Sequence, residues 1–385
     1  MAVGFSRLRA QGYRRIRDVT LELAPLNVLV GRNGVGKSSL LDLFNLLAAS
    51  ATGSLESSIS DYGGMSAILS ADGKARDISI TLDQSQPEGT PPLEYSLTLS
   101  QEGYGYVISR ESLTQQRQPN ALKPFIYIDS NASRIRYHYD GKLVEPDWEH
   151  KPLETSLSQV PKMYREAERF RQQLDDMSPI YHGLDVSARA PVRMPQSLSI
   201  ARMPGDDGEE LLSCLYTMRE TDRYRYEAVE DALRAAFPTF ERLEFPPLSG
   251  GVLTLGWRER GLSRAIFANE LSEGTLRFLW LVTLLQSPGL PGITLIDEPE
   301  VSLHPEMLRL LAELMREATE RTQIIVATHS DRLVRFLKPS ELVLCDQGHD
   351  GGVIAHRASD LDLKDWMEHY TLDQLWSMGR LESFP

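Results

Sequence analysis

The sequence predicts an α/β fold in which a mixed, largely parallel sheet is flanked by helices and carries an inserted helical lobe with small β hairpins. Three short apolar segments, LNVLV (26–30), ITLI (293–296) and IIVA (324–327), have the composition of strands buried on both faces of a sheet. A turn and then a helical pattern follow each of them. Residues 89–249 lack this alternation, which indicates that they form the insertion.

The chain has 385 residues, of which 41% are hydrophobic, enough for one large domain or a domain with a sizeable insertion. We therefore expect a head formed by residues 1–88 and 250–385, with the insertion at 89–249. The N-terminus lacks the apolar run of a signal peptide, and no segment has the length of a membrane span, so we expect a cytoplasmic chain without membrane contact. Cys214 and Cys345 have no metal-site spacing and are expected to be buried thiols.

The net charge of −13 excludes bulk electrostatic attraction to nucleic acid or to an anionic membrane. The N-terminal segment SRLRAQGYRRIR (6–17) is a local exception, because it contains five arginines. A DNA contact through this cluster stays open beside the commoner alternative of a solvated charged face.

The segment GRNGVGKS (31–38) matches the pattern G-x-x-x-x-G-K-[ST] and stands between the strand LNVLV and the helical pattern SLLDLFNLLAA. Glycines at these positions let backbone N–H groups approach phosphate oxygens, and the helix N-terminus adds its dipole. Lys37 can neutralise the β- and γ-phosphates, and the Ser38 hydroxyl can bind Mg²⁺. The segment therefore predicts a nucleotide-phosphate site.

Two further strand ends carry polar side chains that suit nucleotide hydrolysis. ITLIDEPE (293–300) places Asp297 and Glu298 at a strand tip, where one carboxylate can join a metal shell and the other can deprotonate a water. THS (328–330) places His329 after the next strand, within reach of a γ-phosphate. Each of these strand ends alone is weak evidence, since a lone histidine is usually structural. Together with the phosphate loop they indicate nucleotide hydrolysis.

The remaining patterns predict helices and one hairpin. NELSEGTLRFLWL (269–281) predicts a helix that starts near Ser272 and is buried almost all round from Leu276 to Leu285. Pro305 suits the first position of another helix with an apolar stripe. In the insertion, DGK (140–142) predicts a hairpin turn. Helices are expected over three further segments: 153–177 with a break at Pro161, EELLSCLYTMRE, and YRYEAVEDALRAAF.

The order of phosphate loop, LSEGT, ITLIDEPE, EVSLHP and THS resembles the ABC-type ATPase heads of the RecF/SMC class. Within that class the chain resembles the short bacterial predicted ATPases of the AAA family with an OLD/RecF-like head, whose pattern runs N-x-L-S-x-G-T-L-R-x-L. The resemblance extends from GYRRIRDVTLEL to YTLDQLWSMGRL and is specific in the head and loose in the middle. It implies a P-loop NTPase fold of ABC type that uses ATP and Mg²⁺.

The resemblance also implies roles for individual residues. Glu298 is implied as the catalytic base, His329 as the switch histidine and Lys37 as a further catalytic group. Asp297 is implied in the metal shell together with Ser38, and Arg14 near the nucleotide. The signature motif would contain Ser272 and Gly274, and the D-loop residues 302–304. The implied Walker A residues are Gly31, Asn33, Gly34, Gly36, Lys37, Ser38 and Ser39.

The chain departs from the class pattern at two places. Its signature reads LSEGT rather than L-S-G-G-Q, so Glu273 is expected to face away from phosphate, which it would otherwise repel. The Q-loop residue also stays open among Gln84, Gln86 and His182.

The resemblance implies a Mg²⁺-dependent ATPase whose heads dimerise around two ATPs, each nucleotide lying between one chain's Walker A site and the other chain's signature helix. DNA repair and defence against phage are the processes in which relatives of this class act. An alternative is a slow nucleotide-sensing module that holds or activates a partner effector, such as a nuclease or a toxin. A nuclease of OLD type, for which Asp346 and Asp350 are the available carboxylates, is expected less because the C-terminal segment is short for the domain required and lacks the full carboxylate set.

Overall fold

The computed structural model describes residues 4–71, 73, 75–86, 90–117, 123–248, 251–361 and 371–377. The chain divides into two compact units. Among the described residues, the first unit contains residues 4–177 and 340–361, and the second contains residues 178–339 and 371–377.

The strands of the described residues are β1 (Phe5–Tyr13), β2 (Ile16–Glu22), β3 (Leu26–Val30), β4 (Asp77–Gln84), β5 (Leu93–Glu102), β6 (Gly105–Gln115), β7 (Phe125–Asn131), β8 (Arg134–Tyr139), β9 (Lys142–Val144), β10 (Met177–Tyr181), β11 (Gln196–Ser197), β12 (Phe240–Glu244), β13 (Val252–Leu253), β14 (Gly256–Glu259), β15 (Ile266–Phe267), β16 (Ile293–Asp297), β17 (Gln323–Thr328), β18 (Leu342–Gln347) and β19 (Val353–Arg357). The helices are α1 (Lys37–Thr52), α2 (Leu55–Asp61), α3 (Met65–Ile68), α4 (Arg165–Asp175), α5 (Leu211–Thr221), α6 (Arg223–Ala236), α7 (Glu273–Gln286), α8 (Pro305–Ala318), α9 (Asp331–Val334) and α10 (Leu372–Ser377).

The first unit contains an antiparallel sheet of eight strands in the order β2-β1-β4-β5-β6-β7-β8-β9. Its longer strands alternate buried and less buried side chains, as in β5, because one face of the sheet packs on the core. The predicted hairpin at DGK is confirmed, with β8 and β9 paired across it. The strands β5 and β6 have 10 and 11 residues and extend the sheet begun by β1, so this part of the proposed insertion is more than small hairpins.

A second set of strands in the first unit positions the phosphate loop. β3 is buried at all five residues and pairs in parallel with β18, which pairs antiparallel with β19. The helix α1 follows the loop after β3 and buries an apolar face that includes Leu40, Leu41 and Phe44. The predicted order of buried strand, glycine loop and helix is therefore confirmed.

The second unit contains the other two predicted buried strands. β16 and β17 pair in parallel, so their carboxyl ends lie side by side at one sheet edge. The helix α7 buries nearly all residues from Leu276 to Gln286, as its apolar sequence predicts. The helix α8 has Pro305 in its first turn and buries the predicted stripe of Leu308, Leu311, Met315 and Ala318.

The helix predicted over 153–177 is wrong for its first half, whereas α4 occupies Arg165–Asp175 after Pro161. Hydrogen bonds of polar side chains replace helical ones in residues 153–160. Glu154 accepts from the backbone N–H groups of Leu55 and Glu56 at the start of α2, and the Thr155 hydroxyl accepts from the Ser158 N–H. The bond from the Ser158 N–H engages a backbone group that a helix would otherwise use. The two helices predicted before Pro238 are confirmed as α5 and α6.

None of the helices in the described part of the chain has both the length and the apolar character that a membrane crossing requires.

Candidate functional site

The phosphate loop lies between the end of β3 at Val30 and the start of α1 at Lys37. Gly34 and Gly36 have φ angles of 77° and 122°, which residues with side chains rarely adopt. Gly31 lies so close to β18 that a Cβ atom there would be 2.2 Å from the carbonyl oxygen of Cys345. The backbone path of the loop thus requires glycines at these positions, in addition to any need for a phosphate to approach the loop.

Lys37 bends back over this loop. Its side chain is buried, and its Nζ donates hydrogen bonds to the carbonyl oxygens of Gly31, at 2.7 Å, and Arg32, at 3.0 Å. Asn33, Gly34 and Ser38 are exposed around it. The site therefore has a cation held inside a loop whose outer surface is open to solvent.

The start of α1 suits an anion. Its first turn contains no acidic residue, and no described side chain caps the helix. The N-terminal N–H groups of a helix without a cap need an acceptor, and the helix dipole favours a negative one. A nucleotide phosphate fits these residues, because the glycine positions leave room, Lys37 supplies positive charge and Ser38 offers an exposed hydroxyl to a metal ion.

Arg14 lies in the same unit but is held on α1. Its guanidinium forms an ion pair with Asp42 and lies over the ring of Tyr62, with Cζ 4.9 Å from the ring centroid. Its backbone has a φ angle of 46°, which is strained for a residue other than glycine. Burial raises the pKa of Tyr62, and the charge of Asp42 raises it further. Neither Asp42 nor Tyr62 was identified from the sequence.

The second unit brings the strand-end residues together. Asp297 ends β16, and Glu298 follows it with a φ angle of 50° and donates its N–H to Ala327 on β17. The Nδ1 of His329 lies 2.8 Å from Oε1 of Glu298, at hydrogen-bonding distance. The Nδ1 of His182 lies 3.4 Å from Oδ2 of Asp297. Each predicted carboxylate therefore has an imidazole beside it.

Glu300 is a buried carboxyl group next to this pair and was not identified from the sequence. It accepts a hydrogen bond of 2.5 Å from the hydroxyl of Thr328, and its Oε1 lies 4.0 Å from Nδ1 of His329. Burial raises the pKa of Glu300. Within the described residues its other oxygen, Oε2, has no hydrogen-bond partner. Glu300 is the second glutamate of DEPE, so its position after the strand could have marked it as a candidate. Its burial cannot be read from the sequence.

The predicted signature turn precedes α7 in the same unit. The Ser272 hydroxyl caps the helix by accepting from the Thr275 N–H at 3.2 Å. Arg193 donates to the carbonyl oxygens of Ala268 and Leu271 just before this turn. Ser272 is exposed at the helix start.

The predicted site residues form two groups. The first unit holds Gly31, Asn33, Gly34, Gly36, Lys37, Ser38, Ser39 and Arg14. The second unit holds Ser272, Gly274, Asp297, Glu298 and His329. Of the candidate Q-loop residues, His182 lies beside Asp297, whereas Gln84 is buried at the end of β4 and accepts from Gln86.

The N-terminal arginines are largely paired with acids. Arg7 contacts Glu22 and Asp83, and Arg9 contacts Asp83 and Glu94. Such pairing reduces the positive charge that this surface offers to a nucleic acid backbone.

Asp346 and Asp350, the carboxylates available to a nuclease of OLD type, each have a partner within the chain. Asp350 is paired with Arg17, and Asp346 accepts from the N–H of Gln347. Among the residues that the structure describes, no group of three or more His, Cys, Asp or Glu side chains is placed to hold a metal ion.

Solved structures similar to this chain include SMC heads. An Smc head bound to the C-winged helix domain of ScpA matches with 15% sequence identity and a TM-score of 0.56, over 95% of this chain and 99% of that one. An Smc head domain with an extended coiled coil, bound to the C-terminal domain of ScpA derived from Pyrococcus furiosus, matches with 14% identity and a TM-score of 0.52, over 95% and 98%. At these identities the likeness shows the fold, which is that of the ABC-type P-loop NTPase heads. No curated protein matches this sequence.

A protein-family model also matches residues 26–335, which include the phosphate loop, the turn before α7 and the strands β16 and β17. It describes an AAA domain, putative AbiEii toxin, Type IV TA system. The match covers most of the chain and agrees with the fold, so the chain belongs to this family of AAA domains and is a P-loop NTPase of the RecF/SMC-like ABC type.

Proposed function

We propose that the protein is a Mg²⁺-dependent ATPase that dimerises head to head around two ATPs. The observation that carries this proposal is the pair of Glu298 and His329 at the ends of two parallel strands, in a chain with a complete phosphate loop. A carboxylate at a strand end with an imidazole to orient it has the composition of a general base for water. The family and the fold support the same chemistry.

In this proposal the first unit binds the nucleotide. The backbone of the phosphate loop and Lys37 hold the β- and γ-phosphates, and Ser38 offers its hydroxyl to the metal ion. Mg²⁺, if held there, would supply positive charge that offsets the charge of the phosphates. Arg14 reaches the nucleotide only if its ion pair with Asp42 opens.

The second unit supplies the chemistry. Glu298 takes the proton of the attacking water, and His329 keeps its carboxylate in place. Asp297 belongs to the metal shell, and His182, which lies beside it, is our choice for the open Q-loop position. Glu298 also has a strained backbone, a feature that concentrates at catalytic positions.

We assign the role of Ser272 and Gly274 to the nucleotide of a second copy. The helix start at Ser272 is exposed, so it is accessible to another chain. In this proposal the head consists of residues 1–88 and 250–385, and residues 89–249 form an insertion into it.

The process that uses this cycle is proposed as DNA repair or phage defence. The alternative, a slow nucleotide sensor that holds an effector, is favoured by two observations: the family description names a toxin, and the chain of net charge −13 pairs arginines of its N-terminal cluster with acids. Turnover that rises with DNA supports the first process. Turnover that is slow and unchanged by DNA supports the sensor.

A mixing experiment tests the dimer. Lys37→Ala and Ser272→Arg damage different halves of one composite site, so each homodimer should be inactive. A mixed dimer has one site with both defects and one intact site, so mixing the two proteins should restore ATP-dependent dimer and part of the turnover. If Ser272 served the nucleotide of its own chain, neither mixed site would be whole. Absence of rescue at every ratio, with both variants folded and exchanging partners, would remove the sandwich from the proposal.

A further inference from the structure

The residue at the second signature position, Glu273, has a defined set of partners. Its Oε1 accepts a hydrogen bond of 2.7 Å from the Ser302 hydroxyl and one of 3.0 Å from Nε of Arg277. These hydrogen bonds lower the pKa of Glu273, with Ser302 the larger cause. The carboxylate is thus drawn towards the loop between β16 and α8 and stays charged.

The backbone of the signature turn touches the same loop. A Cβ atom on Gly274 would lie 2.5 Å from the carbonyl oxygen of Ser302, so only glycine allows this approach. The glycine of the signature is therefore required for packing on residue 302, in addition to any role towards phosphate. Two adjacent residues of the signature turn contact one residue of the loop.

Ser302 is strained at this contact. Its φ angle of 63° lies in the left-handed region, where glycine would cost less. A glycine would lack the hydroxyl that Glu273 accepts from. Ser302 therefore combines a strained backbone with a hydroxyl that donates to Glu273.

Arg277 continues the contact towards the hydrolysis residues. Its side chain is mostly buried, and a Cβ atom on Gly183 would lie 3.0 Å from its Nη1. Arg277 also lines a narrow crevice together with Asp297 and Glu298. Of the two partners of Glu273, Arg277 thus lies beside Asp297 and Glu298, and Ser302 lies on the loop that follows them.

We infer that Glu273 is a positioning residue that fastens the loop around Ser302 to the signature turn, so that the placement of Glu298 depends on the state of that turn. The inference deepens the proposed ATPase and rests on it. Glu273 does not touch the reacting atoms in this inference. Its effect reaches the chemistry through Ser302 and Arg277.

A double-mutant cycle in ATP turnover tests the inference. Glu273→Ala and Ser302→Ala should each lower kcat about tenfold with little change in KM, and the double variant should be no worse than either. Glu273→Gln keeps an oxygen acceptor for Ser302 and should retain more turnover than Glu273→Ala. Glu313→Ala, which removes an exposed helical Glu–Arg pair with Arg309, is the matched control and should behave like the parent.

Ser302→Gly separates the hydrogen bond from the strain. It removes the hydroxyl but relieves the left-handed backbone, so it should melt higher than Ser302→Ala while losing as much kcat. Hydrogen exchange of the peptide over residues 299–304 should be faster in Glu273→Ala than in the parent without nucleotide.

The outcomes distinguish the inference from the function on which it rests. Effects that multiply in the double variant, a Ser302→Gly protein with parental kcat, or unchanged exchange at 299–304 would each overturn the inference alone. A parent that hydrolyses ATP no faster than Lys37→Ala would overturn the proposed function, and the inference with it.

Discussion

Two helices of this protein start at predicted nucleotide-facing turns, and they start in different ways. α1 begins after Gly36 with no side-chain cap among the described residues and no acid in its first turn. α7 begins after Ser272, whose hydroxyl caps it, and its first turn contains Glu273. The first start has a buried cation, Lys37, and the second has an anion fastened to Ser302.

This difference indicates two kinds of binding element. The start of α1 has no side-chain cap among the described residues, so we expect its backbone N–H groups to serve an external acceptor. At the start of α7 the Ser272 hydroxyl accepts from the Thr275 N–H and Gly274 packs on Ser302, so the same residues serve both the fold and the proposed partner site. Mutations should therefore separate binding from stability at α1 but not at α7.

Lys37→Ala is expected to have the largest effect and is the strongest test of the α1 start. ATP binding and hence turnover should be abolished, because the phosphates lose their main positive charge inside the loop. Isothermal titration with ATP and Mg²⁺ measures it, with Lys142→Ala on β9 as the control. Parental affinity in Lys37→Ala would mean that the start of α1 is not the phosphate site.

Glu298→Gln sharpens the comparison by leaving both helix starts intact. Binding should persist while kcat falls about a thousandfold, the range expected for losing a general base. An ATP-bound dimer should accumulate on size exclusion, because closure is no longer reversed by hydrolysis. If this variant turned over ATP like the parent, the base assignment would be wrong.

Gly274→Ala and Gly34→Ala compare the two turns in stability. Gly274→Ala should lower the free energy of unfolding by about 1–3 kcal/mol, because its Cβ would meet the Ser302 carbonyl. At Gly34 a Cβ meets nothing within 4 Å. Gly34→Ala should therefore lower the free energy of unfolding by only about 1 kcal/mol, the cost of a positive φ for a residue with a side chain. Thermal denaturation of both variants checks the order. An equal loss at both positions would contradict the packing role of Gly274.

Substitution of the serines at the two helix starts, Ser272 and Ser38, should give the smallest difference in the free energy of unfolding. Ser272→Ala should lower the free energy of unfolding by about 1 kcal/mol through the lost cap. Ser38→Ala should change it by less than about 0.5 kcal/mol, since Ser38 is exposed, and should lower Mg²⁺-dependent turnover instead. Urea denaturation and turnover assays on the same samples decide it. Destabilisation by Ser38→Ala equal to that by Ser272→Ala would remove the distinction between the starts.

Much of the fold was predictable because it depends on contiguous patterns. The apolar runs of β3, β16 and β17, the phosphate loop and the starts of α7 and α8 were all recognised from their own residues. The segment 153–164 was mispredicted as helix because Glu154 and Thr155 bind groups that lie elsewhere in the chain. Its local composition was compatible with a helix, and tertiary hydrogen bonds decided otherwise.

The sequence by itself determined the strands β3, β16 and β17, the phosphate loop, and residues available for chemistry at the strand ends. Only the tertiary structure decided which of these residues contact each other. Glu300 and Thr328 are 28 residues apart, Glu273 and Ser302 are 29 apart, and Arg14 and Asp42 are 28 apart. Backbone conformation follows from neighbours along the chain, whereas burial and hydrogen-bond partners depend on segments brought together by packing, and those are not encoded within any one motif.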